Sequence, residues 1–251
     1  MKKFIYFLMT LIDMGLENQI VELLKKEKKI TVFDVGCYRG SFTEKVFQIF
    51  KKKKIKFYLF DANQNVKKYI SKLMKLKNVK YNEIALHNKN GKAVYHHNDS
   101  FESSGSSLST IIKNDSFWIF SRKMILKLFF LSTKGFTNYS VKTITLDNFV
   151  KKNKIKSIDL LKIDIEGSEH LMLQGAKKTL KKNRIKTILV EICDKKINYE
   201  KKERKILNFL KKYQFNLIKK NIYLSPSFLS NHMAGDYQLI NSSFTTKNIK
   251  K

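Results

Sequence analysis

The sequence predicts an α/β fold, a mainly parallel sheet with helices on both faces, and three observations lead there. Strand-like and helix-like hydrophobic patterns alternate over most of the 251 residues. The stretch ITVFDVGCYRGSF at Ile30–Phe42 reads as an apolar strand, a loop carrying Gly36 and Gly40, and a helix start. Acidic residues close four successive strand candidates, which sets them along one edge of such a sheet.

Each element follows in order from these patterns. Ile30–Val35 is the first strand, and Phe42–Phe50 is the helix that leaves its loop. Lys56–Phe60 is the second strand and Val66–Leu76 the helix after it. Lys80–Leu86 follows as a strand, with Asn88–Gly91 as a hairpin turn and Lys92–His97 as the return strand. Asp99–Ser116 is rich in Ser and Asn and reads as a loop. Phe117–Phe136 is apolar almost all round, with Phe117, Phe120, Met124, Leu128 and Leu131 at helical spacing. It reads as a helix packed on the domain, as a cap over the binding site, or as a basic–aromatic surface that touches lipid. The series then runs through strand Val141–Thr145, helix Leu146–Lys152, strand Ile158–Ile165, helix Glu169–Lys181, strand Thr187–Ile192, helix Tyr199–Lys212, and strands Phe215–Lys219 and Tyr237–Asn241. No internal repeat or long linker interrupts it. The organisation expected is an N-terminal helical segment over 1–29 and a single domain over 30–251, with 99–136 as a loop or cap insertion.

Net charge is +30, which invites an anionic partner. The positive charge is almost all lysine, because Arg39, Arg122, Arg184 and Arg204 are the only arginines. Arginine is the preferred residue for bidentate reading of phosphates and bases, so this composition argues against specific nucleic-acid recognition. Cys37 and Cys193 make no disulfide framework and fit a reducing, cytoplasmic setting. The apolar run Phe4–Ile12 follows two lysines, is short for a membrane span, and precedes no small-x-small cleavage site. It reads as a helix that packs on the domain or rests on a membrane surface.

The glycine spacing narrows the ligand. A dinucleotide loop reads G-x-G-x-x-G, whereas this one reads D-x-G-x-x-x-G with Asp34 before the first glycine. An acid there repels a pyrophosphate and suits a cationic or hydroxyl-rich ligand, which argues against a nicotinamide dinucleotide, the natural rival for such a fold. Asp61 ends the second strand, where an acid commonly accepts hydrogen bonds from ribose hydroxyls. Glu83 lies on the third, Asp164, Glu166 and Glu169 close the central later strand, and Glu191 closes the next. A nucleoside with a positive head, such as S-adenosylmethionine, fits this set. No His, Cys or Asp cluster has metal-ligand spacing.

Together, FDVGCYRGSF, FDAN, NEIAL, TLDNF and IDLLKIDIEGSEHLMLQGA resemble the FkbM family of S-adenosylmethionine-dependent methyltransferases, from about Ile30 to Ile192. The family's DVGAN-x-G stands here as DVGCYRG, and its FEPNP as FDANQ. LLKIDIEGSE is the most specific match. The resemblance implies a Rossmann-like class I methyltransferase fold, a mostly parallel seven-stranded sheet with an antiparallel edge strand. It implies in-line methyl transfer to a hydroxyl of a sugar, a glycan or a related small molecule.

Carried over residue by residue, Asp34, Gly36 and Gly40 line the methionine part of the donor, together with Cys37, Ser41 and Phe42. Asp61 holds the ribose beside Ala62 and Asn63, and Glu83 and Ala85 lie near the adenine. Asp164 stands near the amino group or sulfonium, at the mouth of the acceptor site. Glu166 is the first candidate base and Glu191 the second. Glu169 reads as a helix cap, His170 as structural, and at most one of the strand neighbours His96 and His97 faces the acceptor. The acceptor is then a small molecule or a glycan, lipid-linked ones included, with a peripheral contact to anionic membrane left open. An RNA methyltransferase rests on charge alone, since no N-P-P-Y-type strand end or catalytic Cys-Pro is present. A membrane-associated, non-enzymatic module rests on the N-terminus and Phe117–Phe136.

Overall fold

The computed structural model describes residues 18–98, 106–109, 124, 136–224 and 232–245. The apolar N-terminal run, and most of the serine-rich loop and of Phe117–Phe136, therefore lie outside the described residues. The first described element is α1 (Asn18–Lys25), whose Ile20 and Leu24 are fully buried.

The main sheet contains β1 (Lys29–Val35), β2 (Lys54–Phe60), β3 (Val79–Asn82), β7 (Ile158–Ile163), β8 (Ile185–Lys195), β9 (Phe215–Leu224) and β10 (His232–Asn241). Its order is β3-β2-β1-β7-β8-β10-β9. All neighbours are parallel except those of β10. The antiparallel strand expected at the edge thus sits one place in from it. The crossover after β8 passes over one position, and β10 returns into that gap against both β8 and β9. Strand order reverses between β1 and β7, so the ligand crevice of such a sheet opens at their carboxyl ends.

Alternation along the strands builds a core on each face. Phe33, Tyr58 and Phe60 point to one side, against Phe149. Val32, Phe57 and Leu59 point to the other, against Phe42, Val46, Ile20 and Leu24. Burying each such side chain contributes about 1.5–3 kcal/mol, which fixes strand register strongly.

A second sheet departs from the expected hairpin. Its strands are β4 (Ala85–Leu86), β5 (Gly91–Asn98) and β6 (Phe136–Ile144), in the order β4-β6-β5. Lys80–Leu86 leaves the main sheet after Asn82, and β5 pairs with β6 rather than folding back on β4. The eight-residue register Gly91↔Thr143 to Asn98↔Phe136 outweighs the local turn preference of Asn88–Gly91. Asn90 instead accepts a bond from the Thr145 N–H at 2.9 Å.

The helices follow the same logic. These are α2 (Ser41–Ile49), α3 (Val66–Tyr69), α4 (Ser71–Met74), α5 (Leu146–Lys152), α6 (Glu169–Gln174), α7 (Lys177–Lys181), α8 (Lys196–Lys211) and α9 (Ser242–Thr245). Thr145 caps α5 by accepting the Asn148 N–H at 3.1 Å. Asp147 of the TLDNF stretch accepts the Lys178 and Thr179 N–H groups at 2.9 and 2.7 Å, so it ties α5 to the start of α7. The expected helix Glu169–Lys181 breaks at Gly175. A Cβ there would stand 2.1 Å from the His87 carbonyl oxygen, so the chain passing from β4 requires a glycine.

Candidate active site

The glycine loop is fixed by backbone bonds. The Gly36 and Cys37 N–H groups both donate to the Phe60 carbonyl, at 2.9 and 3.1 Å, and Gly40 N–H donates to Cys37 at 2.7 Å. Gly36 has φ 82° and Tyr38 φ 43°, and the loop delivers the chain to α2 at Ser41. Asp34 lies beneath it and is fully buried. Its carboxylate accepts the Thr43 hydroxyl at 2.7 Å and stands 3.9 Å from Lys162 Nζ. Cys37 is 4 % exposed, and burial, with the Asp61 and Asp34 charges, pushes its thiol well above the ordinary range. It is therefore a neutral, packed thiol.

Asp61 leaves the end of β2 and clamps the loop. Its Oδ2 accepts the Tyr38 N–H at 2.9 Å and its Oδ1 the Asn63 N–H at 2.9 Å. Tyr81 donates its hydroxyl to the Asp61 carbonyl at 3.3 Å. Burial, with the Asp34 and Asp164 carboxylates, raises the Asp61 pKa to about 6, against the lowering effect of the two N–H donors. Each carboxylate oxygen keeps a lone pair beyond its backbone bond. Asn63 is buried and accepts the Asn65 N–H, while Ala62 packs with Tyr95 and Val141 of the small sheet. Ala85 packs on the same cluster. Glu83 is exposed and pairs with Lys67 at 2.6 Å, on the rim and apart from the carboxylates below.

Between β1 and β8 the central strand adds a buried cation. Lys162 Nζ stands 2.9 Å from Asp164 Oδ2 and 5.4 Å from the Phe42 ring centroid. Burial alone would lower the Lys162 pKa, but Asp164 and Asp34 raise it above the ordinary lysine range. Burial works against charge at Asp164 too, yet Lys162 and a hydrogen bond with Glu191 bring its pKa below the usual value. Asp164 thus stands between the Lys162 ammonium on its own strand and the Glu191 carboxyl group of β8.

The EGSE turn follows. Glu166 has φ 50° and Gly167 φ 109°, a left-handed pair that carries the chain from β7 into α6. A non-glycine residue held there marks local strain at a site the surroundings enforce. Glu169 is fully buried and reaches back to the Gly167 N–H rather than capping α6. Lys202 of α8 holds the turn from behind. Its Nζ donates to Gly167 O at 2.9 Å and Cys193 O at 2.7 Å, and pairs with Glu169 Oε2 at 2.7 Å. The Glu166 carboxylate is near enough to both Tyr95 and Cys193 to act on each of them electrostatically. Lys202→Met removes the cation from a buried carboxylate and is expected to destabilise the protein by about 3–5 kcal/mol in urea unfolding. A loss below about 1 kcal/mol would mean that the turn does not depend on this lysine.

The small sheet covers the Asp61 side. Tyr95 donates its hydroxyl to Ser106 O at 3.3 Å, and burial with nearby Asp61 pushes its pKa well up. His96 is buried, with Nδ1 2.8 Å from Asn138 Oδ1. His97 reaches the other way, with Nε2 3.4 Å from Asn65 Nδ2, toward the Asp61 loop. His170 contacts Gln174 and stacks edge-on against Phe209, away from the carboxylates.

The fold thus gathers Asp34, Cys37, Asp61 and Asp164 into one electrostatically coupled group, with Glu191 and Glu166 beside it. Lys162, Lys202 and Tyr81 are the residues that sequence reasoning missed. Among the described residues, no group of three or more His, Cys, Asp or Glu side chains is placed to hold a metal ion. No helix among them is long and apolar enough to cross a membrane.

Comparison with known proteins agrees with this architecture. The 2-O-methyltransferase NoeI of Sinorhizobium fredii is 26 % identical over 187 residues, covering 74 % of this chain and 72 % of that protein. The methyltransferase FkbM of Methylobacillus flagellatus superposes with a TM-score of 0.50 at 10 % identity, covering 84 % of this chain. This chain spans 44 % of the length of that structure. The M. jannaschii TYW2 structure with AdoMet superposes with a TM-score of 0.41 at 14 % identity, over 92 % of this chain and 80 % of that one. The methyltransferase FkbM domain itself matches over residues 34–217. That match runs from the acid before the glycine loop into β9 and takes in every strand-end carboxylate from Asp34 to Glu191, and the chain belongs to the FkbM family of methyltransferases.

Proposed function

We propose that this enzyme methylates a hydroxyl of a sugar, a glycan or a related small molecule, with Glu166 as the proton acceptor. The carrying observation is the EGSE turn, where Lys202 fixes a left-handed Glu166 beside the carboxylates that suit a cationic donor. The named activity of the NoeI relative, 2-O-methyl transfer, supports a hydroxyl acceptor.

The residues present fit the donor. Asp61 keeps acceptor capacity for ribose hydroxyls at the end of β2. Asp34, Asp61 and Asp164 outweigh Lys162, the buried cation beside them, and so favour a positively charged ligand. When bound, S-adenosylmethionine supplies a methyl carbon already activated by its sulfonium. The chain's own task is alignment and proton removal, because a hydroxyl is a poor nucleophile until a base begins to take its proton. Glu191 is engaged in a hydrogen bond with Asp164, which makes it the weaker candidate and favours Glu166 as the acceptor. Lys162 keeps Asp164 ionised, so that a fixed negative charge remains beside the donor site.

The test offers methyl-labelled S-adenosylmethionine with a panel of oligosaccharides, nucleotide sugars and bulk transfer RNA. The expected result is label in a saccharide as an alkali-stable ether. Label in RNA alone would overturn the reading.

A further inference from the structure

We propose that the sheet edge opposite the active site is a docking surface for anionic lipid membrane. In this topology, the connections entering β1, β2, β3, β7, β8 and β9 all emerge at the amino ends of the strands. Segments 25–29, 51–54, 75–77, 151–156, 181–184 and 211–212 together hold nineteen lysines and arginines and one acid, Glu27. That acid is engaged by Lys186 at 2.7 Å. Most of the basic side chains are exposed. The face is continuous as well as basic, since Lys53 donates across it to the Lys25 carbonyl at 2.6 Å.

Asp159, near the amino end of β7, is buried and paired with Lys186 at 2.8 Å, whereas six other acids lie at the opposite edge. Asp34, Asp61, Glu83, Asp164, Glu166 and Glu191 all stand at carboxyl ends or in the turns that follow them. The overall excess of lysine is therefore distributed with a polarity that composition alone does not require. A ligand of the active site meets acids, and a broad anionic surface meets the back.

Three features favour a lipid surface over a nucleic acid. The six segments contain eighteen lysines and one arginine, and the aromatic residues of the same connections are engaged, Phe50 buried and Tyr213 packed on Phe209, so the face offers point charges with few of the forks and stacking platforms that read bases. Diffuse attraction to lipid headgroups needs only such charges. Large apolar side chains also border the lysines: Phe47 and Ile49 precede segment 51–54, Met74 precedes segment 75–77 and Leu76 lies within it, each between 36 % and 42 % exposed. Lysine beside exposed apolar groups suits the headgroup boundary. Docked this way, the enzyme holds its catalytic edge about 20 Å from the bilayer, the span of a six-residue strand such as β7. The acceptor hydroxyl is then reached from the aqueous side.

The test is flotation of the full chain with vesicles of phosphatidylcholine containing about 30 % phosphatidylglycerol, and with phosphatidylcholine alone. The expected result is binding to the anionic vesicles only, released at about 0.5 M salt. Charge reversal of Lys51, Lys52, Lys54, Lys151, Lys152 and Lys154 to Glu is expected to weaken binding at least about ten-fold while S-adenosylmethionine still binds. If the reversed variant fails to bind the donor, the same six positions changed to Gln are compared instead. Absence of binding to anionic vesicles, or full binding by the variant, would overturn the proposal. So would displacement of the vesicles by bulk RNA at equal phosphate, which would identify a nucleic acid as the partner.

Discussion

Gly36→Ala is expected to destabilise the protein by about 3–6 kcal/mol and to abolish donor binding. A Cβ at this position would stand 1.7 Å from the Asp164 carbonyl oxygen and 2.8 Å from its carbon, at a backbone φ of 82°. Neither neighbour can yield independently. Asp164 N–H donates to the Val35 carbonyl at 2.9 Å, and Gly36 N–H donates to Phe60 O. The three strand ends β2, β1 and β7 are therefore laced together at one residue. Opening them would also move Asp61 and the Lys162–Asp164 pair. Urea unfolding with calorimetric donor titration reads both effects. Intact donor binding with a loss below about 1 kcal/mol would contradict the close approach.

Glu166→Gln is expected to lower kcat by about 10²–10⁴ while leaving donor affinity unchanged. The substitution keeps shape and turn geometry and removes only the proton acceptor. Its contrast is Glu191→Gln, whose amide N–H can donate to Asp164 and which is expected to lose far less. The two variants separate a base from a structural partner, because both perturb the same carboxylate group. Single-turnover methyl transfer by each variant is the measurement. Full activity in Glu166→Gln, with loss in Glu191→Gln, would move the base to β8.

Much of this arrangement was readable from local pattern. Ile30–Val35 and Ile158–Ile163 are apolar runs that only a doubly covered sheet can bury, and Asp34, Asp61 and Glu191 lie on or next to such runs. The positions that escaped depend on residues far apart in the chain. Lys162 and Lys202 are two of 47 lysines, and only the fold brings them to Asp34 and Asp164, or to Glu169 and Cys193. The Asn88–Gly91 turn carries hairpin chemistry, but β6, more than forty residues away, decides the pairing. The break at Gly175 is set by the His87 backbone, which no helical periodicity reveals. The place of β10, one strand in from the edge, likewise follows from a crossover rather than from its own residues.

The most direct test of the account is calorimetric titration of S-adenosylmethionine into the wild-type chain and into Asp61→Ala at two pH values. If Asp61 holds the ribose as proposed, its ionised form is the stronger acceptor, and burial raises its pKa to about 6. Protonation of a group one unit below its pKa removes about nine-tenths of the competent form, so wild-type affinity is expected to fall about ten-fold from pH 7.5 to pH 5. Asp61→Ala is expected to bind at least about ten-fold more weakly at the higher pH, without that dependence. Absence of binding by the wild type, or an Asp61→Ala variant with wild-type affinity and the same pH profile, would contradict the placement of the donor at the ends of β1 and β2.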